Sequence, residues 1–121
     1  MVIGTGVDIT EVRRLRLAIE KWGDSFLNRV FTKEELKQAQ TRSSFYQHLA
    51  GRFAAKEAIF KALGNKELSF KDIQIFNDKE GKPYCTILNK ENNKVNILVS
   101  ISHVKNYAVA NAVVTPKTKL T

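Results

Sequence analysis

The segment between Ser44 and Gly64 constrains this chain most, because it is apolar on two opposite sides when it is drawn as a helix. At about 100° per residue, large apolar residues fall on one side and alanines on the other. A helix that is apolar on both sides is buried. We therefore predict a long central helix, opened by a capping pair of Ser44 and Gln47 and closed by Gly64. The two sides are formed by Phe45, Leu49, Phe53, Phe60 and Leu63, and by Ala50, Ala54, Ala58 and Ala62.

Four charged side chains interrupt this helix: Arg52, Lys56, Glu57 and Lys61. They need partners, because an unpaired buried ion is costly. In a structural interpretation, Arg52 and Lys56 extend to solvent along their apolar stems, and Glu57 pairs with Lys61 four residues later. In a functional interpretation, the charges serve a ligand. The helix alone leaves both interpretations open.

The N-terminal residues 2–9 alternate with the period of a β-strand. One face combines two glycines with a carboxylate and the other face is apolar: Gly4, Gly6 and Asp8 point one way, and Ile3, Val7 and Ile9 the other. The glycines either leave room for a ligand to approach Asp8, or serve close backbone packing while Asp8 caps the next helix.

Capping signals predict three helices between this strand and the central helix. They also define a basic first helix, in which Arg13, Arg14 and Arg16 are balanced nearby only by Glu20. Such a cluster is either a solvated face or a docking surface for an acidic helix. The predicted helices are one from N-cap Thr10 through about Lys21 with Gly23 as its stop, a short one that starts at Asp24 or Ser25, and one from Thr32 to about Gln40.

After Leu68 the apolar residues repeat with a period of two, which indicates strands. We predict four of them, of which the last two form an antiparallel hairpin. The predicted strands are 73–76, 84–88, 95–103 and 107–114. The fold class is therefore α+β, with a mostly antiparallel sheet packed on the central helix in one domain over residues 1–121.

The 20 Lys and Arg residues outnumber the 12 Asp and Glu residues, and the net charge of +8 favours an anionic partner. That partner is a nucleic acid, a phosphorylated metabolite or an acidic protein. Cys85 is a lone cysteine without metal-site spacing, which suits a reducing cytoplasm. Because the sequence contains neither a signal-peptide pattern nor a membrane-length apolar run, we expect a soluble cytoplasmic protein without a membrane partner.

Three polar groups stand in elements that are otherwise small or apolar: Asp8, Glu57 and His103. Two carboxylates from separate elements can share Mg²⁺, which completes its coordination with water and phosphate oxygens. His103 ends its strand in phase with the apolar face, where a histidine is either a core or turn residue or a functional one. A P-loop and a Rossmann glycine pattern are both absent. The residues alone therefore indicate a metal-assisted phosphate site in a basic domain.

Four segments together resemble the bacterial holo-acyl-carrier-protein synthase family, the small branch of the 4′-phosphopantetheinyl transferases. They are Gly4-Thr-Gly-Val-Asp8-Ile-Thr-Glu11, Ala50-Gly-Arg-Phe-Ala-Ala-Lys-Glu-Ala58, Gly81-Lys-Pro83 and Ser100-Ile-Ser-His103. The resemblance implies the 4′-phosphopantetheinyl transferase fold. It also implies transfer of the phosphopantetheine arm of coenzyme A to a serine of apo-acyl carrier protein, for fatty acid biosynthesis, with release of adenosine 3′,5′-bisphosphate.

The resemblance also implies roles for individual residues. Asp8 and Glu57 would bind Mg²⁺ against the coenzyme A pyrophosphate, and Glu57 would take the serine proton directly or through a metal-bound water. Lys61 would contact phosphate or assist proton transfer. The nucleotide and its phosphates would be held by Arg52, Lys56, Gly81, Lys82, Pro83 and His103.

The resemblance also implies two kinds of protein partner, a carrier protein and further copies of this chain. Arg13, Arg14 and Arg16 would receive the acidic recognition helix of the carrier protein, and the chain would form a homotrimer with active sites between subunits. Between Gln40 and His48, where relatives tend to have several basic residues, this chain has only Arg42 and His48.

Two alternatives from other classes accompany the transferase hypothesis. A small basic nucleic-acid-binding protein would account for the net charge, but the basic residues are spread over several elements and no RNA-binding motif is present. A non-catalytic carrier-protein-binding module would keep the fold, but it would not need the set of Asp8, Glu57, Lys61 and His103.

Overall fold

The computed structural model describes residues 1–64, 68–88 and 94–117. No helix in these ranges is long and apolar enough to cross a lipid bilayer. The elements in chain order are β1 (Gly4–Glu11), α1 (Val12–Trp22), α2 (Asp24–Val30), α3 (Lys33–Gln40), α4 (Phe45–Leu63), a 3-10 turn (Phe70–Asp72), β2 (Ile73–Asn77), β3 (Pro83–Ile87), β4 (Val95–His103) and β5 (Tyr107–Pro116).

The strands form two antiparallel sheets. The larger has the order β1-β5-β4, so that the first and last strands of the chain are neighbours, and β2 pairs with β3 in the smaller sheet. Asp8 pairs with Ala110, which pairs on its other side with Ile101. The predicted α+β class and the predicted hairpin of the last two strands are confirmed.

Helix α4 joins two apolar clusters and is largely buried, as its two-sided pattern predicts, although Lys61 near its end is exposed. Toward its N-terminus, Leu49 and Ala50 pack with residues of α1, α2 and α3. Farther along, Ala54, Ala58 and Ile59 pack with strands β2 and β5. The helix ends at Gly64, whose φ of 64° is in the left-handed region that glycine tolerates.

Strand β1 lies unusually close to α4 because its inward face carries glycines. A Cβ atom added at Gly6 would overlap the carbonyl oxygen of Ala58, and one added at Gly4 would overlap that of Ala62. Of the two interpretations that the sequence left open for the glycines, close backbone packing is therefore the one that the structure supports. The contact holds the β1 backbone against the turn of α4 that carries Glu57.

The predicted N-cap at Thr10 is wrong, because β1 continues through Glu11 and α1 begins at Val12. The Val12 amide donates to the carbonyl oxygen of Asn106 at 2.9 Å, so it needs no side-chain cap. The Thr10 hydroxyl donates instead to Asp8 Oδ2 at 3.1 Å. The Thr32 and Glu35 capping box is confirmed, whereas Ser44 makes no side-chain cap hydrogen bond.

Replacing Gly6 with alanine tests the close contact between β1 and α4. Because the obstacle is helix backbone, Gly6→Ala should lower the free energy of unfolding by at least about 1 to 3 kcal/mol, measured by urea denaturation. The matched control is Gly51→Ala, whose Cβ would meet only the side-chain atom Cγ2 of Ile101, at 2.9 Å. In α4 alanine also gains about 1 kcal/mol over glycine, so the control should be nearly neutral. Equal stabilities for the two variants would contradict the proposed packing constraint.

Candidate active site

Asp8 projects from the glycine face of β1 and is held by two donors. Thr10 donates to Oδ2, while the Lys61 ammonium group donates to Oδ1 at 3.3 Å and to the carbonyl oxygen of Val7 at 3.0 Å. The Asp8 side chain is 18% exposed. The capping role that the sequence allowed for Asp8 is therefore not the one it has in this structure.

Glu57 lies on α4 immediately before Ala58, the residue that contacts Gly6. Asp8 and Glu57 line one cavity of about 420 Å³, together with Thr10 and Arg14. Burial raises the pKa of Glu57 above its usual value, the negative charge of Asp8 raises this pKa further, and Lys61 opposes the shift. The carboxylates of Asp8 and Glu57 thus repel each other, and a bound cation would relieve this repulsion.

This donor set fits Mg²⁺. In the described ranges no group of three or more His, Cys, Asp or Glu side chains could hold a metal. Two carboxylates are too few for a closed tetrahedral zinc site, whereas Mg²⁺ binds through one or two carboxylates and keeps water and phosphate oxygens as its other ligands. The Lys61 ammonium group, which is bound to Asp8, shows that this carboxylate already accommodates a positive charge.

Lys61 does not make the helical pair with Glu57 that the structural interpretation suggested. Its ammonium group contacts Asp8 and Val7 instead, which ties the end of α4 to β1. Because its side chain is 55% exposed, Lys61 is accessible from solvent. The structure thus brings together all three residues that the sequence analysis predicted to be catalytic.

The predicted nucleotide-binding role of Lys56 is wrong. Its side chain is 0% exposed, and its ammonium group donates to Glu35 Oε1 at 2.7 Å and to the carbonyl oxygens of Val30 and Phe70 at 2.8 and 2.9 Å. These bonds use all three donors of the ammonium group. Lys56 is therefore a structural residue that connects α4 to α2, α3 and the 3-10 turn.

Glu35 is the partner that the sequence analysis missed. Besides Lys56, its carboxylate accepts from the amide groups of Thr32 and Ile75, both at 2.8 Å. Breaking such a buried pair costs about 3 to 5 kcal/mol. The capping-box pattern accounted for Glu35 locally, and nothing in the sequence signals a contact to a lysine 21 residues away.

A second, basic cluster surrounds the first half of α4. Arg52 is 4% exposed and donates from Nη2 to Gln38 Oε1 at 3.2 Å, while its Nε has no hydrogen-bond partner in the described part of the chain. Burial lowers the pKa of Arg52 to about 10. Burial also lowers the pKa of His48 to about 4, with further contributions from the nearby charges of Arg52, Arg42 and His103. Positive charge is therefore concentrated here.

His103 lies near His48 of this cluster, while residues 81–83 follow strand β2. His103 ends β4 and is exposed, and Gly81 and Lys82 are exposed in the turn between β2 and β3. Gly81 has a φ of 89°, which favours glycine at this position. Gln38 connects the end of β2 to Arg52, because its Oε1 also accepts from the Asn77 amide at 3.4 Å.

The three arginines of α1 are all exposed, but they do not line the same cavity. Arg14 lines the cavity of Asp8 and Glu57. Arg13 and Arg16 line a separate depression together with Lys105. Arg16 also pairs with Glu20 at 3.6 Å. Only Arg14 therefore lies beside the candidate active site.

Comparison with known proteins identifies the family. The model of the 4′-phosphopantetheinyl transferase superfamily matches residues 4–112. The chain belongs to this superfamily. Among its relatives, the holo-[acyl-carrier-protein] synthase of Protochlamydia amoebophila is 47% identical over 93% of this chain and 98% of its own length. That of Halothermothrix orenii is 45% identical over 91% of this chain and 94% of its own.

Solved structures of phosphopantetheinyl transferases agree with this assignment. A holo-(acyl-carrier-protein) synthase from Bacillus anthracis, in complex with CoA (3′,5′-ADP), has a TM-score of 0.84 and 38% identity, covering 97% of this chain and 99% of the other. The family, the fold and the enzyme class that the four sequence segments implied are confirmed. Membership of the superfamily favours the transferase over the nucleic-acid-binding alternative.

Proposed function

We propose that this chain transfers the 4′-phosphopantetheine group of coenzyme A to a serine of apo-acyl carrier protein. The products are holo-acyl carrier protein and adenosine 3′,5′-bisphosphate. The observation that carries the proposal is the shared cavity of Asp8 and Glu57, with Arg14 at its wall and Lys61 bound to Asp8. This arrangement combines a cation site with a basic group, Lys61, that suits a pyrophosphate.

Asp8 and Glu57 would hold Mg²⁺ in this cavity. When bound, the ion would neutralise charge on the pyrophosphate oxygens and on the departing bisphosphate. Thr10 orients Asp8 through its hydrogen bond to Oδ2. The close packing of Gly6 on Ala58 keeps the strand and the helix that carry the two carboxylates together.

Residues of this chain accept the serine proton and stabilise the negative charge that develops on the leaving bisphosphate. Glu57 receives the proton of the serine hydroxyl, directly or through a water. The serine oxygen then bonds to the phosphorus that carries pantetheine, and the bond from this phosphorus to the bridging oxygen breaks. Lys61, which is exposed beside Asp8, contacts the phosphate oxygens as negative charge shifts to the leaving bisphosphate.

The basic cluster would hold the nucleotide part of coenzyme A. We assign Arg52 and His103 to its phosphates, and Gly81, Lys82 and Pro83 to the nucleotide beside them. An anion here would offset the repulsion among the basic groups which, after burial, contributes to the lowered pKa of His48. Arg42 and His48 are the basic residues that this chain offers between Gln40 and His48.

A homotrimer would bring the two parts of the site together. The outer face of the β1-β5-β4 sheet exposes large apolar side chains to solvent, which is typical of an interface. The Asp8 cavity is lined by β1, α1, α2 and α4, whereas His103 lies two strands away from β1, about 10 Å across the sheet. A neighbouring chain could supply its basic cluster to this cavity. The exposed residues include Val7, Ile9, Leu98, Tyr107 and Val109.

We place this activity in the cytoplasm, in fatty acid biosynthesis, where carrier proteins require the phosphopantetheine arm. The proposed substrates, coenzyme A and an acidic carrier protein, are both anionic, which agrees with the net charge of +8.

The direct test is to incubate the protein with apo-acyl carrier protein, coenzyme A and Mg²⁺, and to measure the intact mass of the carrier. We expect a gain equal to one phosphopantetheinyl group. Glu57→Gln and Asp8→Asn should abolish the gain while circular dichroism shows a retained fold, since each removes one of the two carboxylates. An unmodified carrier with the wild-type protein would refute the transferase function. Near-normal turnover in either variant would refute the metal-ligand assignment alone.

The carrier-docking role is tested by reversing single charges on α1. Arg14→Glu should raise the KM for carrier protein roughly tenfold or more and leave the KM for coenzyme A nearly unchanged, because charge reversal at a docking site weakens encounter. Arg13→Glu makes the same change outside the cavity and should have a smaller effect. The assignment of docking to Arg14 is wrong if both variants behave alike, or if the KM for coenzyme A rises equally.

Assembly is tested by placing a charge on the outer face of the sheet. In sedimentation equilibrium the wild-type protein should have three times the chain mass of 13.7 kDa, and Leu98→Glu should shift it toward the single-chain mass. Leu17→Glu is the control, since Leu17 is also exposed, at 48%, but lies on α1. A wild-type protein that sediments as a monomer would contradict the trimer, and an unchanged Leu98→Glu variant would contradict the assigned interface.

A further inference from the structure

We propose that Lys61 is a resident counter-ion of the metal site, which the divalent cation must displace from Asp8 when it binds. This inference rests on the proposed assignment of Asp8 and Glu57 as metal ligands. Its basis is the position of the Lys61 ammonium group, 3.3 Å from Asp8 Oδ1 and 3.0 Å from the Val7 carbonyl oxygen.

Lys61 occupies one of the two Asp8 carboxylate oxygens that a cation could bind. Thr10 donates to Oδ2 of Asp8 and Lys61 donates to Oδ1, so each carboxylate oxygen has a donor. A divalent cation and an ammonium group cannot share a carboxylate oxygen without strong repulsion at short range. Lys61 must therefore leave Oδ1, or bind it more weakly, as the metal enters.

The Lys61 ammonium group can move away from Asp8 into solvent, and before a metal binds it compensates the negative charge of the site. Its side chain is 55% exposed, so the ammonium group can move into solvent without crossing packed residues. In the absence of a metal, its charge compensates the two carboxylates of the cavity. The hydrogen bond to Val7 adds a fixed anchor on β1.

Displacement of Lys61 from Asp8 would couple metal binding to the position of the Lys61 ammonium group. While Lys61 is bound to Asp8, its donors point to β1. Once the cation replaces it, the ammonium group is free to contact the phosphate oxygens that accompany the metal. Lys61 thus becomes available for phosphate contact only in the loaded site, and it lowers the affinity for a bare metal ion.

The test is Mn²⁺ binding to the protein without coenzyme A, with free Mn²⁺ measured by electron paramagnetic resonance at low salt. Lys61→Met should bind Mn²⁺ about two- to fivefold more tightly than wild type, the range expected for loss of one exposed ion pair. Lys61→Arg keeps the charge and should bind like wild type. Lys37→Met removes the same charge from an exposed position on α3 and corrects for net charge.

Asp8→Asn separates this inference from the metal assignment on which it rests. If Asp8→Asn loses Mn²⁺ binding and Lys61→Met binds no more tightly than Lys37→Met, the counter-ion role is wrong and the metal site stands. If Asp8→Asn binds Mn²⁺ like wild type, the ion does not bind at Asp8, and both proposals are wrong. Tighter binding by Lys61→Met alone, with loss in Asp8→Asn, supports both.

Discussion

The contact between two glycines of β1 and the backbone of α4 is the constraint on which the rest of this structure depends. Gly4 and Gly6 lie so close to Ala62 and Ala58 that no side chain fits between strand and helix. Because Asp8 follows Gly6 by two residues on the same face, and Glu57 precedes Ala58, the contact carries both carboxylates to one cavity. Backbone packing thus determines the position of the charges, and a larger residue in β1 would move the carboxylates apart.

The charged residues of α4 divide into three roles because the helix borders three different environments. Lys56 points into the protein, where Glu35 and two carbonyl oxygens satisfy its ammonium group. Glu57 lines the cavity beside β1, and Lys61 is bound to Asp8, another residue of that cavity. Arg52 lies in a basic cluster, nearly buried, with one nitrogen that has no partner in the described residues. A helix with apolar residues on two sides can therefore carry one structural ion pair and still present charged residues to both parts of the proposed ligand site.

Local patterns in the sequence predicted most of the fold. The period of α4, the two glycine stops at Gly23 and Gly64, the capping box at Thr32 and the alternation of β4 each depend on residues close in the chain, and all are present. Apart from the absent side-chain cap at Ser44, the errors concern contacts between distant residues. The Val12 amide is satisfied by Asn106, so Thr10 is not needed as a cap. Lys56 pairs with Glu35, and Lys61 pairs with Asp8 rather than with Glu57, which is nearer in the sequence. Composition and spacing do not encode which distant partner a buried charge will meet.

Backbone packing of β1 on α4 is proposed to create a cation site with two carboxylates. This proposal can be tested by anomalous diffraction from a crystal of the protein grown with Mn²⁺ and coenzyme A. The structure predicts one strong anomalous peak within about 2.2 Å of a carboxylate oxygen of Asp8 and one of Glu57, with the Lys61 ammonium group moved away from Asp8. A peak that contacts neither carboxylate, or a metal bound elsewhere while Lys61 still pairs with Asp8, would contradict the claim.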